Sequence, residues 1–319
     1  MLAIVHLDWA AKNAEKVLGR RKVGTGMMGA NLTATVEHRP FGVIGVIGPW
    51  NYPVYTPMGS ISYALAAGNA IVFKPSELTP AVGQFLADTW AAACPAQPVL
   101  QVVHGRGDTG AALCRSGVDK LAFTGSARTA RTVMAACAET LTPVVIEAGG
   151  KDAFLVDRDA DLDAAADAAA WGAFANAGQT CVGVERVYVH KDVYDPFLEK
   201  LVAKAREVTA NDSDDSKIGP ITMPSQLAII KSHIEDALAR GGRALVGGVL
   251  EPVRQAVAAE PGEIHEVDVL HVLVVIQVLE QATKCSGFQL RAGCGIQFIE
   301  RSHADSFFKT GLICSITKD

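Results

Sequence analysis

The sequence lacks the features that mark nucleic-acid-binding, membrane and secreted proteins. Its 319 residues contain 29 Lys and Arg against 34 Asp and Glu, so no excess of basic side chains is available to neutralise nucleic-acid phosphates. The longest apolar stretch, residues 269–279, is interrupted by His271 and Gln277 and is too short to cross a bilayer. The amino terminus has no basic segment of the kind that opens a signal peptide. We therefore expect neither a nucleic-acid partner nor a membrane partner.

Cysteine is also too sparsely arranged to suggest a metal centre or a disulfide framework. The seven cysteines form no Cys-x-x-Cys pair and show no Cys/His ligand spacing. We therefore expect no metal site, and a reducing, cytoplasmic location.

Apolar residues, by contrast, are abundant enough for a sizeable core. They make up 49% of a chain whose length suggests about two domains. From Arg39 onward, short β-branched runs alternate with alanine-rich segments. We predict strands at residues 43–47, 70–73, 99–103, 121–124, 143–146 and 185–189, and helices at residues 81–93, 127–138, 161–175, 194–208 and 226–240. This alternation predicts an α/β fold with a parallel sheet covered on both faces.

The most obvious glycine motif does not suit a nucleotide site. Gly24-Thr25-Gly26-Met27-Met28-Gly29 fits the pattern Gly-x-Gly-x-x-Gly, but basic residues precede it where a buried strand should stand. A dinucleotide-binding loop needs a strand before it and a helix after it. We interpret the motif as a mobile connector.

Polar residues follow two of the predicted strands, where open α/β sheets bind ligands. The turn Gly48-Pro49-Trp50-Asn51-Tyr52-Pro53 holds Asn51 rigidly, and its amide suits a developing oxyanion. The alternative is an Asn that caps its own turn. After the next strand, Lys74 and Glu77 can both reach a ribose diol. The alternative is a solvated salt bridge at a helix start, with Ser76 as the N-cap.

A further strand end is followed directly by a predicted helix. Gly125 and Ser126 lie between that strand and the helix, where backbone N–H groups favour a phosphate. An ordinary Ser N-cap explains the same residues equally well.

The sharpest pair is a carboxylate and a thiol. Glu147 ends an apolar strand and is followed by Ala148-Gly149-Gly150, a position suited to activating water. Cys181 follows a loop and precedes another apolar strand, and a thiolate is a good nucleophile. A buried structural Cys and a helix-capping Glu remain the alternatives.

Taken together and in this order, these segments resemble the aldehyde dehydrogenase superfamily. The matching segments within residues 1–248 are RPFGVIGVIGPWNYP, ALAAGNAIVFKPSE, LAFTGS, VIEAGGKDAFLV and GQTCVGVERVYV. The resemblance implies a Rossmann-like NAD(P)-binding domain over residues 1–146, shortened at its amino end, and a partial catalytic thiol domain over residues 147–248. Residues 249–319 form an atypical tail with mixed helix and strand signals.

The resemblance also implies an activity: oxidation of a small-molecule aldehyde to an acid, with NAD as the cofactor and NADP as a second possibility, in a homo-oligomer. Cys181 matches the nucleophile, Glu147 the general base and Asn51 the oxyanion donor. Lys74 and Glu77 match the contacts to the adenosine ribose, and Trp50 matches a wall of the nicotinamide pocket. The full set of expected cofactor contacts is Ile47, Gly48, Trp50, Lys74, Ser76, Glu77, Gly125 and Ser126.

The chain departs from the family pattern at several positions. Ala130 replaces a usual glycine after the phosphate loop, and Ala148 replaces a usual leucine after the general base. No Glu-x-Phe-Gly-Pro segment, whose Glu holds the nicotinamide ribose in the family, follows Gly248. Three other interpretations stay open: a Cys–Glu hydrolase without a cofactor, a catalytically impaired relative that binds dinucleotide or partner subunits, and a phosphorylating reductase that would not need Glu147.

Overall fold

The computed structural model describes residues 2–209 and 216–247, together with the backbone of five short strands beyond them. The chain forms two compact units, Met1–Gly149 and Gly150–Asp319. The predicted domain boundary at residues 146 and 147 stays a prediction. The division of labour between a cofactor domain and a thiol domain stays a prediction.

The first unit contains five α-helices and seven β-strands among the described residues. The helices are α1 Leu2–Leu18, α2 Tyr55–Ala66, α3 Pro80–Ala93, α4 Gly107–Arg115 and α5 Ala127–Ala138. The strands are β1 Arg21–Val23, β2 Ala34–Val36, β3 Val43–Ile47, β4 Ala70–Lys74, β5 Leu100–Val102, β6 Lys120–Thr124 and β7 Val144–Glu147.

Five of these strands form one parallel sheet in the order β5-β4-β3-β6-β7. The chain therefore begins the sheet at its centre, builds outward to β5, and then returns to add β6 and β7 on the other side of β3. The strand order reverses between β3 and β6, which pair in parallel with Ile47 opposite Phe123. The predicted α/β fold with a parallel sheet is confirmed.

Helices cover both faces of this sheet because its central strands are apolar on both sides. One hydrophobic cluster joins Leu121 and Phe123 of β6 to α4 and α5. The other joins Ile71 and Phe73 of β4 to α2 and α3. Both Phe73 and Leu121 are completely buried. The sheet is thus the middle layer of a three-layer unit, with its carboxyl edge left for the loops.

The second unit is built around two parallel strands, β8 Asp152–Val156 and β9 Val184–His190. Its helices are α6 Leu162–Phe174, α7 Tyr194–Arg206 and α8 Pro224–Ala239. Phe154, Val189 and Phe197 are buried in one cluster with the alanine-rich face of α6. Asp161 caps α6 by accepting hydrogen bonds from the backbone N–H groups of Asp163 and Ala164, as expected for an acidic helix start.

Short strands complete the described part of the second unit. They are β10 Arg243–Ala244, β11 Arg254–Ala258, β12 Ile264–Asp268, β13 Ile276–Gln277, β14 Ile296–Phe298 and β15 Cys314–Ser315. β14 pairs with β9 and β15 pairs with β8, which gives a four-stranded sheet in the order β14-β9-β8-β15. The rest of the predicted atypical tail lies outside the described residues. Among the helices of the described part, none has the length and hydropathy needed to cross a membrane.

The first prediction concerns the core of the parallel sheet. Leu121→Ala should lower the free energy of unfolding by about 2–5 kcal/mol, because it removes a fully buried side chain and leaves a cavity between β6 and the helices. Urea denaturation followed by circular dichroism measures the change. Leu32→Ala is the matched control, since Leu32 is 65% exposed and should shift stability by less than about 0.5 kcal/mol. Equal effects of the two substitutions would contradict the packing described here.

Candidate active site

The loop after β3 begins with a glycine that its surroundings require. The backbone N–H of Gly48 donates to the carbonyl of Lys74 at 3.0 Å, which ties the end of β3 to the end of β4. A Cβ at residue 48 would stand 2.9 Å from the ring of Phe73, so no larger residue fits without displacement. Trp50 and Asn51 follow and are half-buried. Ile47, an expected cofactor contact, is buried and its side chain packs into the hydrophobic core.

The loop after β4 contains a buried ammonium group. The Lys74 side chain is only 5% exposed; its Nζ donates to the Pro75 carbonyl at 2.8 Å and lies 3.6 Å from Glu77 Oε2. The Glu77 side chain is half exposed. The alternative of a solvated salt bridge is thus borne out in part: Lys74 and Glu77 do form an ion pair, but its ammonium group is buried. The Lys74 ammonium group is buried and paired, whereas the Glu77 carboxylate is accessible. Glu77 can therefore accept a hydrogen bond from a ligand.

Ser76 does not cap a helix. α3 begins at Pro80, and the residue before it is Thr79. The Ser76 hydroxyl instead accepts a hydrogen bond from the backbone N–H of Leu78 at 3.3 Å, within the turn. The alternative with Ser76 as the N-cap is wrong, because three residues, 77–79, lie between Ser76 and the start of α3.

The loop after β6 satisfies its own polar groups. Ser126 is the N-cap of α5, and its hydroxyl accepts from the backbone N–H of Thr129 at 3.2 Å, which confirms the capping alternative. The Gly125 N–H donates to the carbonyl of Glu147 at 3.0 Å. The amino end of α5 still turns its first-turn N–H groups toward the sheet edge, where helices attract anions.

The topology of the sheet brings four of these positions to one edge. Reading across the strands, Lys74 ends β4, Gly48 follows β3, Gly125 follows β6 and Glu147 ends β7. The strand order reverses between β3 and β6, and this switch point is where open α/β sheets bind their ligands. The structure therefore unites candidate segments that lie up to about a hundred residues apart in the sequence.

Glu147 is exposed and lies at the end of β7. The next element is β8, so the alternative of a helix-capping Glu is wrong.

The early glycine motif, residues 24–29, also differs from the expectation. A strand, β1, does precede it, but within the described residues β1 is not buried and pairs with β2 alone. The last three residues of the motif form a short 3₁₀ turn, and the strand β2 follows instead of an α-helix.

Cys181 stands out among the cysteines whose side chains the structure describes. It is exposed in the turn before β9, whereas Cys94 is half-buried and Cys114 and Cys137 are buried. Burial raises the pKa of the Cys114 thiol to about 11, and burial also raises the pKa of Cys137. The alternative of a buried structural cysteine is therefore wrong for Cys181.

Within the described residues, no group of three or more His, Cys, Asp or Glu side chains is arranged to hold a metal ion.

Gln179, two residues before Cys181, was not predicted to have a role. Its side-chain amide donates to the carbonyls of Asn176 and Pro220 and accepts from the backbone N–H of Thr222. The only sequence signal was its position inside the segment GQTC, which does not reveal a partner about forty residues away.

Comparison with protein-family models decides the family. The model described as the aldehyde dehydrogenase family matches residues 1–268, which is most of the chain. The chain belongs to the aldehyde dehydrogenase family.

Individual members of the family are similar over the same region. A 4,4'-diapolycopene aldehyde oxidase from Methylomonas sp is 40% identical over 253 residues, covering 77% of this chain and 48% of the relative. A benzaldehyde dehydrogenase [NAD(+)] from Pseudomonas putida is 36% identical over 216 residues, covering 66% of this chain and 44% of the relative. The crystal structure of an aldehyde dehydrogenase from Brucella melitensis biovar abortus 2308 superimposes with a TM-score of 0.72 at 36% identity, covering 77% of this chain and 51% of that chain.

This aldehyde dehydrogenase chain spans about half the length of the curated relatives it matches. The names of those relatives include both NAD(+) and NADP(+) as the cofactor, and they refer to several different aldehydes.

The second prediction concerns the reactivity of the thiols. At pH 8, brief treatment with limiting iodoacetamide should label Cys181 before Cys114 and Cys137, because the raised pKa values of the buried thiols leave little thiolate and little access. Peptide mass spectrometry measures the order of labelling. In urea the three cysteines should label at similar rates, which is the control. Faster labelling of any other cysteine in the folded chain would make the assignment of Cys181 wrong.

Proposed function

We propose that this chain oxidises an aldehyde to a carboxylic acid, with Cys181 as the nucleophile and NAD or NADP as the hydride acceptor. The observation that carries the proposal is the exposure of Cys181, in an aldehyde dehydrogenase chain whose other described cysteines are partly or fully buried. An accessible thiol at a turn can approach a carbonyl carbon, whereas a thiol inside a core cannot.

The reaction begins on Cys181. Its thiolate adds to the aldehyde carbon and produces a thiohemiacetal alkoxide. The Asn51 side-chain amide and the Cys181 backbone N–H donate hydrogen bonds to that oxygen. Donors of this kind contribute about 3–4 kcal/mol each to stabilising the transition state, because the charge they meet develops only during the reaction.

A bound nicotinamide cofactor would supply the hydride acceptor needed to convert the thiohemiacetal on Cys181 into a thioester. The donor set at the carboxyl edge of the first unit fits a dinucleotide. Lys74 and Glu77 offer a donor and an acceptor for a ribose diol, and the amino end of the twelve-residue helix α5 suits a pyrophosphate. Trp50, half-buried after β3, offers a flat apolar wall for the nicotinamide.

Glu147 completes the cycle. Its carboxylate removes a proton from water, and the resulting hydroxide attacks the thioester and releases the acid. The exposed position of Glu147 at the end of β7 supports this role, because water reaches the carboxylate directly.

A second candidate function is dinucleotide binding without turnover. It is favoured by the location of every proposed cofactor contact in the first unit, whereas Cys181 belongs to the second. The two candidates are distinguished by measuring cofactor binding and NADH formation on the same preparation.

The third prediction tests the chemistry. The full chain should form NADH from one or more members of a panel of aliphatic and aromatic aldehydes, and Cys181→Ala should abolish the reaction. Glu147→Gln should still release a burst of about one NADH per chain and then turn over at least about 100-fold more slowly, because hydride transfer precedes the hydrolysis it impairs. Asn51→Ala should lower kcat about 100- to 1,000-fold.

Stopped-flow absorbance in the NADH band measures the burst and the steady state. Cys94→Ser is the control and should retain the rate of the unsubstituted chain, since Cys94 has no role in the reaction. Turnover by Cys181→Ala would refute the proposed function. Tight cofactor binding without any NADH formation would favour the second candidate.

The fourth prediction concerns cofactor choice. The chain should bind NAD more tightly than NADP, because the Glu77 carboxylate accepts from a ribose 2′-hydroxyl and repels a 2′-phosphate. Lys74 beside it moderates the preference. Glu77→Gln should narrow the ratio of the two dissociation constants by about tenfold, or about 1.4 kcal/mol.

Titration of each cofactor against tryptophan fluorescence measures this ratio. Glu139→Gln is the matched control, since Glu139 is exposed and pairs with Arg115. NADP binding as tight as NAD binding to the unsubstituted chain would overturn the assignment of Glu77.

A further inference from the structure

The turn that leads into Cys181 has an unusual backbone. Three consecutive residues, Asn176, Ala177 and Gly178, adopt φ values of 53°, 57° and 74°. Glycine enters this left-handed region freely and Asn tolerates it, but Ala does so at a cost in free energy. A strained backbone of this kind persists only where surrounding contacts hold it in place.

The contacts that hold this turn converge on Gln179. Its Nε2 donates to the Asn176 carbonyl at 3.1 Å and to the Pro220 carbonyl at 3.2 Å, and its Oε1 accepts from the Thr222 N–H at 2.8 Å. Asn176 returns the interaction, because its Nδ2 donates to the Gln179 carbonyl at 3.3 Å. The Gln179 side chain thus links the left-handed turn 176–178 by hydrogen bonds to residues 220–222, which precede α8.

Further contacts confine the backbone immediately around Cys181. The Thr180 hydroxyl donates to the Ala175 carbonyl at 3.1 Å, and the Gly183 N–H donates to the Thr180 carbonyl at 3.2 Å. A Cβ at Gly150 would stand 2.8 Å from the carbonyl oxygen of Cys181, so the backbone of residue 181 lies directly against this glycine. The exposed thiol therefore projects from a backbone held on both sides.

The geometry points to Gln179 as a positioning residue for the Cys181 thiol: its amide keeps the left-handed turn 176–178 closed against residues 220–222 and so fixes where the thiol projects. The inference rests on the proposed role of Cys181 as the nucleophile. Gln179 touches neither substrate nor cofactor in this scheme. It acts through the backbone, where a displacement of about 1 Å can cost about 100-fold in rate.

The experiment compares Gln179→Glu with Gln101→Glu in the full chain. At neutral pH the first change replaces the donating Nε2 by a carboxylate oxygen that faces two carbonyls. The side chain of Gln101 is exposed on β5 and, among the described residues, makes one long hydrogen bond to the Pro98 carbonyl. Gln179→Glu should lower kcat about 100-fold with little change in cofactor affinity. Gln101→Glu should leave both unchanged.

A pair of substitutions at one position tests the turn without touching Gln179. Ala177→Val places a β-branched residue at positive φ, and Ala177→Gly places there the residue that adopts it most readily. The values of kcat should therefore be far lower for Ala177→Val than for Ala177→Gly. If kcat is the same in these two variants, the left-handed turn has no part in positioning the thiol.

Amide hydrogen exchange provides a measurement that does not depend on activity. Gln179→Glu should increase the exchange rates of residues 175–183 and of Thr222 at least tenfold, with no change in β9. Unchanged exchange, or an unchanged kcat in a chain that Cys181→Ala inactivates, would overturn the role of Gln179 while the proposed function stands. Turnover by Cys181→Ala would instead refute the proposed function, and exchange would then report on the turn alone.

Discussion

The parallel pairing of β3 with β6 is the constraint on which the candidate site depends. These strands are separated in sequence by β4, β5 and their helices, yet they are neighbours at the centre of the sheet. Because parallel strands end at the same edge, this pairing sets the loop of Gly48 beside the loop of Gly125. A slip of the register by one residue would turn Leu121 and Phe123 away from their core clusters, so the packing of the core also fixes the position of the loops.

Burial of Lys74 follows from the same arrangement. β4 is apolar up to its last residue, and the Lys74 side chain continues into the interior with its ammonium at the polar edge. The cost of burying a cation is offset locally, by the Pro75 carbonyl and the Glu77 carboxylate. The Lys74–Glu77 ion pair therefore lies at the edge of the sheet, with the Glu77 carboxylate accessible to solvent and the Lys74 ammonium buried.

The sequence predicts the elements of this architecture better than their arrangement. The helix at residues 127–138 is found with those bounds, because Ser126 and the alanine-rich periodicity mark it clearly. α1 was not predicted, and only Ala10 of its residues is buried. β8 was missed because only Phe154 and Val156 are buried in it, too few to mark a strand after a glycine pair. The order β5-β4-β3-β6-β7 is a property of packing between distant segments and leaves no mark in local periodicity.

The two units hold their candidate groups by different physical means. In the first, Glu147 and Gly48 are placed by hydrogen-bonded strands, and any apolar substitution that preserves the core preserves their position. In the second, Cys181 lies on a turn, where no ladder of backbone hydrogen bonds sets its direction. The position of Cys181 is set instead by the hydrogen bonds of the Gln179 side-chain amide and by the close contact between Gly150 and the Cys181 carbonyl. We therefore expect substitutions near Cys181 to change the position of its thiol more than they change the stability of the fold.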